Sequence, residues 1–437
     1  MRPLTRTLVV VAAGLAVVLP GSAAHAETVR QAQWYLDELK IGQVHQITKG
    51  KGVLVGLVDS GVDAGHPDLK GRIKVGPRFD SAVAQPVKPD TDGHGTGMAG
   101  VIVGKGGGQN NVLGIAPEAT VLSVQGTGEG RDNVATRASI VWAVDNGAQV
   151  LNLSFAQNEP AEDLTKAVEY ALSKDVVVVA GAGNLEQGHY EVGYPAAIPG
   201  VIAVSGTSRG GKAWDLSAIG DKVVLSAPAD GIVSTASRAS GNTTGFRKGV
   251  GTSDSAAIVS GAAALIRSKY PELKAPDVIN RLITTADDAG PAGRDDRFGF
   301  GRLDILKALT AKVPSVATNP LGGAAAAGNG TASAGTDWVA ADRGTRTGLT
   351  GKAVAGFAII GLLPLLGVVA IIWLVVRNRR RKRAAFAPAG GYPYPPQPGY
   401  PPPPGYAPPP GYAPPPGYPP HPQQYQQPPS APPGTGR

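Results

Sequence analysis

The 437-residue chain contains no cysteine. No disulfide can brace it, so any folded domain must hold through its hydrophobic core, and a domain of about 280 residues is large enough to do so. A basic surface is also lacking over most of the chain. The formal net charge is +8, but Arg2 and Arg6, the cluster at 377–383 and Arg437 supply nine positive charges, and the remainder sums to −1. The basic balance therefore gives no support to nucleic-acid binding by the central region.

Charge is missing altogether from two apolar runs, 8–19 and 353–376. The first is too short to span a bilayer. It follows Arg2 and Arg6 and precedes Ala24-His25-Ala26, a small-residue cleavage pattern, so residues 1–26 read as a secretory signal. The second is long enough for a tilted transmembrane helix, carries Trp373 near its end and runs straight into Arg377-Asn378-Arg379-Arg380-Arg381-Lys382-Arg383. Such a cluster stays in the cytoplasm, which places everything between the two runs outside the membrane.

Between them, strand and helix patterns alternate. Short β-branched runs at 53–58, 120–124, 149–153, 176–180, 201–204 and 223–225 predict strands. Helical spacing marks 133–146, 161–173, 276–285 and 262–269, the last continuing the helix that Ser253 opens. This rhythm predicts an α/β fold in three layers, with a mostly parallel central sheet and helices on both faces. The expected boundaries are a core with a short N-terminal extension at 27–312, a Gly/Ala/Thr-rich spacer at 313–352, the membrane span at 353–376, and a tail at 377–437. In that tail Gly405-Tyr406, Gly411-Tyr412 and Gly417-Tyr418 recur among prolines, which favour extended polyproline conformation.

Three glycine-flanked segments carry groups with chemistry. Strand 53–58 ends at Asp59, a carboxylate at the C-terminal end of a central strand, where open α/β sheets keep their sites. His94 stands between Gly93 and Gly95, which let other backbone approach the imidazole closely. Ser253 follows Gly251-Thr252 at the head of a helix of small residues, where unpaired N–H groups and the positive dipole end gather. A serine needs a base against it and a third group to orient that base. Asp59, His94 and Ser253 supply all three, in an order known among convergent triads.

The segments VGLVDSGVD (55–63), DGHGTGMAG (92–100) and GTSDSAA (251–257) resemble the signature blocks of the subtilisin-like serine peptidases. GHPDL (65–69), VVAGAGN (178–184), YPAA (194–197), PGVIAV (199–204) and FGFGRLD (298–304) agree in order, so the likeness covers roughly residues 34 to 310. It implies a serine endopeptidase with Asp59, His94 and Ser253 as triad. Asn184 and the Ser253 backbone N–H would form the oxyanion hole, and Ser154, Phe155, Ala156, Ala182, Gly183 and Asp254 would line the substrate cleft. No cofactor is required. Calcium is common in that family, but no compact acidic loop offers a site, so no metal ligand is assigned.

The chain departs from the family at Asp254 and Ala257, where an apolar residue and a proline are usual. It also has Gly97 in place of a second histidine and Phe155-Ala156 in place of Leu-Gly. The implied position of Asp254 is the leaving-group side of the cleft, where it would attract a basic residue. About 26 residues separate the leader from the first core strand, too few for the folding domain of secreted relatives. With its single C-terminal span, the layout resembles the mycosins that accompany type VII secretion in Gram-positive actinobacteria, although those usually carry cysteines. That likeness implies protein or peptide substrates and a membrane secretion complex as partner. The competing expectation is a peptidase-fold scaffold in such a complex, with turnover incidental.

Overall fold

The computed structural model describes residues 27–126 and 132–323. The expected leader at 1–26, the spacer beyond residue 323, the apolar span at 353–376 and the basic cluster and tail at 377–437 lie outside the described residues. Among those described, no helix is long and apolar enough to cross a membrane.

Three short helices, α1 (Val29–Ala32), α2 (Trp34–Glu38) and α3 (Ile41–Ile47), precede β1 (Leu54–Asp59). There follow β2 (Ile73–Phe79), β3 (Ala84–Gln85), α4 (His94–Val103), β4 (Thr120–Gln125), α5 (Asn133–Asp145), β5 (Val150–Leu153), α6 (Glu162–Ser173), β6 (Val177–Gly181) and β7 (Ile202–Thr207). The chain continues through β8 (Leu225–Pro228), β9 (Ile232–Thr235), β10 (Phe246–Gly249), α7 (Thr252–Lys269), α8 (Ala275–Thr284) and α9 (Ile305–Thr310).

The main sheet has the order β3-β2-β4-β1-β5-β6-β7-β8. Every neighbouring pair is parallel except β2–β3. Strands β5, β6 and β7 are buried along their whole length, because helices cover both faces, and apart from Asn152 in β5 their sequences are accordingly small or apolar runs. Helices α4 and α7 pack together on one face, while α5 and α6 pair on the other. The three-layer expectation therefore holds over the described core.

After β1 the chain builds β2 and β4 on one side, then crosses to build β5 to β8 on the other. The direction of winding thus reverses beside β1, and a crevice opens at the carboxyl ends of β1 and β5. Asp59 closes β1, and Ser154 follows β5 immediately.

Helix α7 runs through the core with fifteen of its eighteen residues buried. Its Ala and Gly content makes this possible. At Gly261 an added Cβ would stand 2.6 Å from the Cβ of Ile115. Such contacts let α7 lie close against the loop that follows α4.

The N-terminal extension is three short helices, and it belongs to the body. Gln33 is fully buried, donating to the carbonyl of Leu113 (3.0 Å) and accepting from its N–H (3.1 Å). The buried Tyr35 hydroxyl donates to the carbonyl of Val233 in β9 (3.1 Å). A buried polar side chain is tolerated only when paired, and these pairs staple the extension to β9.

Candidate active site

Asp59 is held at the end of β1 with its side chain 4% exposed. Its carboxylate accepts from the N–H of Ser60 at 2.7 Å. It also faces Nδ1 of His94, with oxygens at 2.8 and 3.1 Å. A carboxylate can only accept here, so Nδ1 carries the proton and Nε2 is left as the basic atom. The His94 side chain is 32% exposed, its open edge toward the cleft. Burial pulls the imidazole pKa down most strongly, but the charge and hydrogen bond of Asp59 outweigh this, and the net direction is up.

The glycines around His94 have physical reasons. Gly93 caps α4 with φ of 85°, which side chains rarely adopt. At Gly95 a Cβ would stand 2.1 Å from the carbonyl oxygen of Gly61 and 3.0 Å from Oδ1 of Asp59, so any side chain would separate base from carboxylate. Because Gly93 offers no capping side chain, the first turn of α4 is satisfied by Asp90 instead. This buried carboxylate accepts from the N–H of Gly93 (2.9 Å), the N–H of Thr96 (3.0 Å) and the hydroxyl of Ser60 (2.8 Å). The Ser60 hydroxyl in turn accepts from the N–H of Gly95 (3.0 Å). Asp90 thus ties the His94 helix to the end of β1.

Ser253 opens α7 on the opposite wall. Its hydroxyl donates to the carbonyl of Ser154 (3.2 Å), and the Ser154 hydroxyl donates back to the Ser253 carbonyl (3.0 Å). Asn152 steadies Ser154 (2.8 Å) and is itself held by Ser260 two turns deeper in α7 (2.9 Å). These bonds lock the nucleophile's turn to the end of β5.

Asn184, just past β6, accepts at Oδ1 from the N–H (3.0 Å) and hydroxyl (3.1 Å) of Thr252. A backbone N–H is only a donor, so the amide orientation is forced and Nδ2 points away from Thr252. One Nδ2 hydrogen goes to Oε1 of Gln187 (3.1 Å), which leaves a second available to the cleft. The cleft itself is an open cavity of about 520 Å³, lined among others by Asp59, His94, Ser154, Phe155, Ala156, Gly183, Asn184 and Ser253.

Two expected cleft residues sit elsewhere. Ala182 is fully buried behind the wall. Asp254 does not reach the cleft: it is 2% exposed and ion-paired with Arg247 of β10, because the helical turn that presents Ser253 outward rotates its neighbour inward. Residues that sequence reasoning did not single out are Asp90, Gln187 and His189. His189 lines the cleft and contacts Asn158 through Nδ1 (2.6 Å). Among the described residues no group of three or more His, Cys, Asp or Glu side chains is placed to hold a metal ion.

Residues 50–301 match the Subtilase family. The chain belongs to the subtilase family. It is 35% identical over 259 residues to subtilisin DY of Bacillus licheniformis, which covers 58% of this chain and 89% of that protein. It is also 30% identical over 351 residues to mycosin-1 of Mycobacterium tuberculosis, covering 68% and 76%. Among solved structures it resembles MycP1 from the ESX-1 type VII secretion system, with a TM-score of 0.58 at 28% identity, covering 70% of this chain and 92% of that one. MycP1 with its N-terminal propeptide removed gives 0.56 at 30% identity, covering 64% and 98%. This subtilase is accordingly a mycosin-like serine endopeptidase, a hydrolase of peptide bonds.

Proposed function

We propose that this subtilase is a membrane-anchored endopeptidase acting outside the cell through Asp59, His94 and Ser253, in the context of a type VII secretion complex. The observation that carries the catalytic part is the Asp59–His94 hydrogen bond at the mouth of a cleft that Ser253 lines. A rotation about the Cα–Cβ bond of Ser253 exchanges the Ser154 carbonyl for Nε2 of His94. His94 then takes the hydroxyl proton as Oγ attacks the peptide carbonyl, and Asp59 stabilises the imidazolium. The oxyanion falls to Nδ2 of Asn184 and the N–H of Ser253 at the head of α7. His94 returns the proton to the leaving amine, and water cleaves the acyl-enzyme by the same steps in reverse. Ser154, Phe155, Ala156 and Gly183 would guide the substrate chain. These steps call for no cofactor.

The anchoring part rests on the apolar run 353–376 and the basic cluster that follows, which hold the tail in the cytoplasm. The secretion context is supported by the likeness to mycosin-1 and MycP1. A scaffold role with incidental turnover draws on one observation, the Ser253 hydroxyl resting on Ser154 rather than on His94. Labelling of the full-length, membrane-extracted chain with a fluorophosphonate probe decides between them. Label that disappears in Ser253→Ala supports the peptidase, and a wild type that takes none refutes it. External protease on intact cells should remove the catalytic domain and spare an epitope at the C-terminus; loss of that epitope refutes the topology.

A further inference from the structure

Arg247 and Asp254 form an ion pair directly behind the two catalytic helices, with the carboxylate 2% and the guanidinium 21% exposed. Two glycines leave the room for it. At Gly97, one turn after His94 on α4, a Cβ would stand 2.5 Å from Nε of Arg247. At Gly249 a Cβ would stand 2.5 Å from Oδ2 of Asp254 and would also collide with the guanidinium. Residues three apart on a helix share a face, so the guanidinium lies against the same side of α4 that carries the imidazole. Asp254 is the neighbour of Ser253 in the first turn of α7, where a negative charge suits the helix dipole.

We propose that the Arg247–Asp254 pair is a positioning element of the catalytic site, clamping the first turn of α7 against α4 and presenting His94 with compensated rather than net charge. The inference rests on the catalytic reading given above. Other groups around His94 are Asp59 from β1, Asp92, which accepts the His94 backbone N–H (3.0 Å), and Asp90 beneath the first turn of α4. The Tyr35 phenol of α2 adjoins the pair and is kept protonated by burial. Among these, Arg247 and Asp254 act on the imidazole in opposite senses, the cation easing loss of its proton and the carboxylate retaining it. A guanidinium cannot be neutralised at working pH, whereas a buried carboxyl without its partner takes up a proton.

The test is the pH dependence of fluorophosphonate labelling rate for the full chain, with melting of the same preparations. In Asp254→Asn the lone guanidinium should move the acidic limb to lower pH. At a pH on that limb, the rate relative to its plateau should rise about two- to five-fold. In the double variant Arg247→Met/Asp254→Asn, with neither charge present, the limb should return to the wild-type position. Arg247→Met alone should melt several degrees below the double variant, since only the single change strands a buried carboxyl. A purely structural pair would lower the plateau and leave the limb in place. The proposal is overturned by a wild-type limb in Asp254→Asn, by a double variant that keeps the Asp254→Asn limb, or by Arg247→Met melting with the double variant. A wild type that takes no label refutes the catalytic reading instead, and the melting comparison still judges the clamp.

Discussion

Asp90 is a group outside the triad whose loss should cost both the fold and the site. It is 2% exposed and accepts from Ser60, Gly93, Thr96 N–H and the Thr96 hydroxyl. Asp90→Asn keeps one oxygen and turns an NH2 toward donors on the other side. About two buried donors are then left without an acceptor, at about 1–3 kcal/mol each, or about 4 kcal/mol in sum. Against a total stability of about 5–15 kcal/mol this is severe but survivable, and the melting midpoint should fall by about 10 °C. Below that midpoint, activity should drop about 10- to 100-fold, because the tie from β1 to the His94 helix sets the Asp59–His94 geometry, and a misplacement near 1 Å costs about 100-fold. Differential scanning fluorimetry and fluorophosphonate labelling at 20–25 °C (about room temperature) read both effects. A variant that melts within about 2 °C of wild type and labels at the wild-type rate would refute the reasoning.

The catalytic groups were legible because each stands in a segment whose glycines have no other use. Asp59, His94, Ser253 and Asn184 all reach one cleft, and Gly95 explains itself once the Gly61 carbonyl is seen 2.1 Å from its absent Cβ. The central strands were legible for a related reason: burial on both faces writes a continuous apolar run. Where that condition lapses the reading fails. Strand β2 carries exposed Lys74 and Val75, and β10 is Phe246-Arg247-Lys248-Gly249, neither of which alternates cleanly. Missing β10 meant missing Arg247, and without Arg247 nothing in the chain shows that Asp254 turns inward. Adjacency in sequence to Ser253 suggested the cleft; a helix turn of roughly 100° per residue sends a neighbour elsewhere. Asp90 did leave a signal, an acid shortly before a helix whose cap position is glycine; its donors in Gly93 and Thr96 are local, and only the Ser60 hydroxyl is brought by tertiary contact.

The remaining predictions concern the same machinery. Gly95→Ala should abolish labelling, since the new Cβ meets a backbone oxygen that cannot yield, whereas a similar methyl at exposed Gly71 (φ of 84°) should affect only stability. Asn184→Ala should slow turnover on a peptide substrate about 100- to 1,000-fold, with a further loss of stability because the Thr252 N–H loses its acceptor. The pH profile follows from the sign of the His94 shift. Burial lowers its pKa, Asp59 raises it by more, and the folded value lies above the ordinary one. The free base is needed for attack, so the labelling rate should climb on an acidic limb placed above the usual histidine range. The stabilising contribution of the His94–Asp59 pair has the opposite course: it is fully present below the unfolded pKa and is lost as pH rises through the folded one. In Asp59→Asn the carboxylate's upward pull is gone while the burial remains. The limb should therefore move down even as the plateau falls by about 10⁴-fold, the tautomer no longer being held. A limb that stays put in Asp59→Asn would mean that the imidazole does not take its charge environment from β1, and the assignment of Asp59 would fail with it.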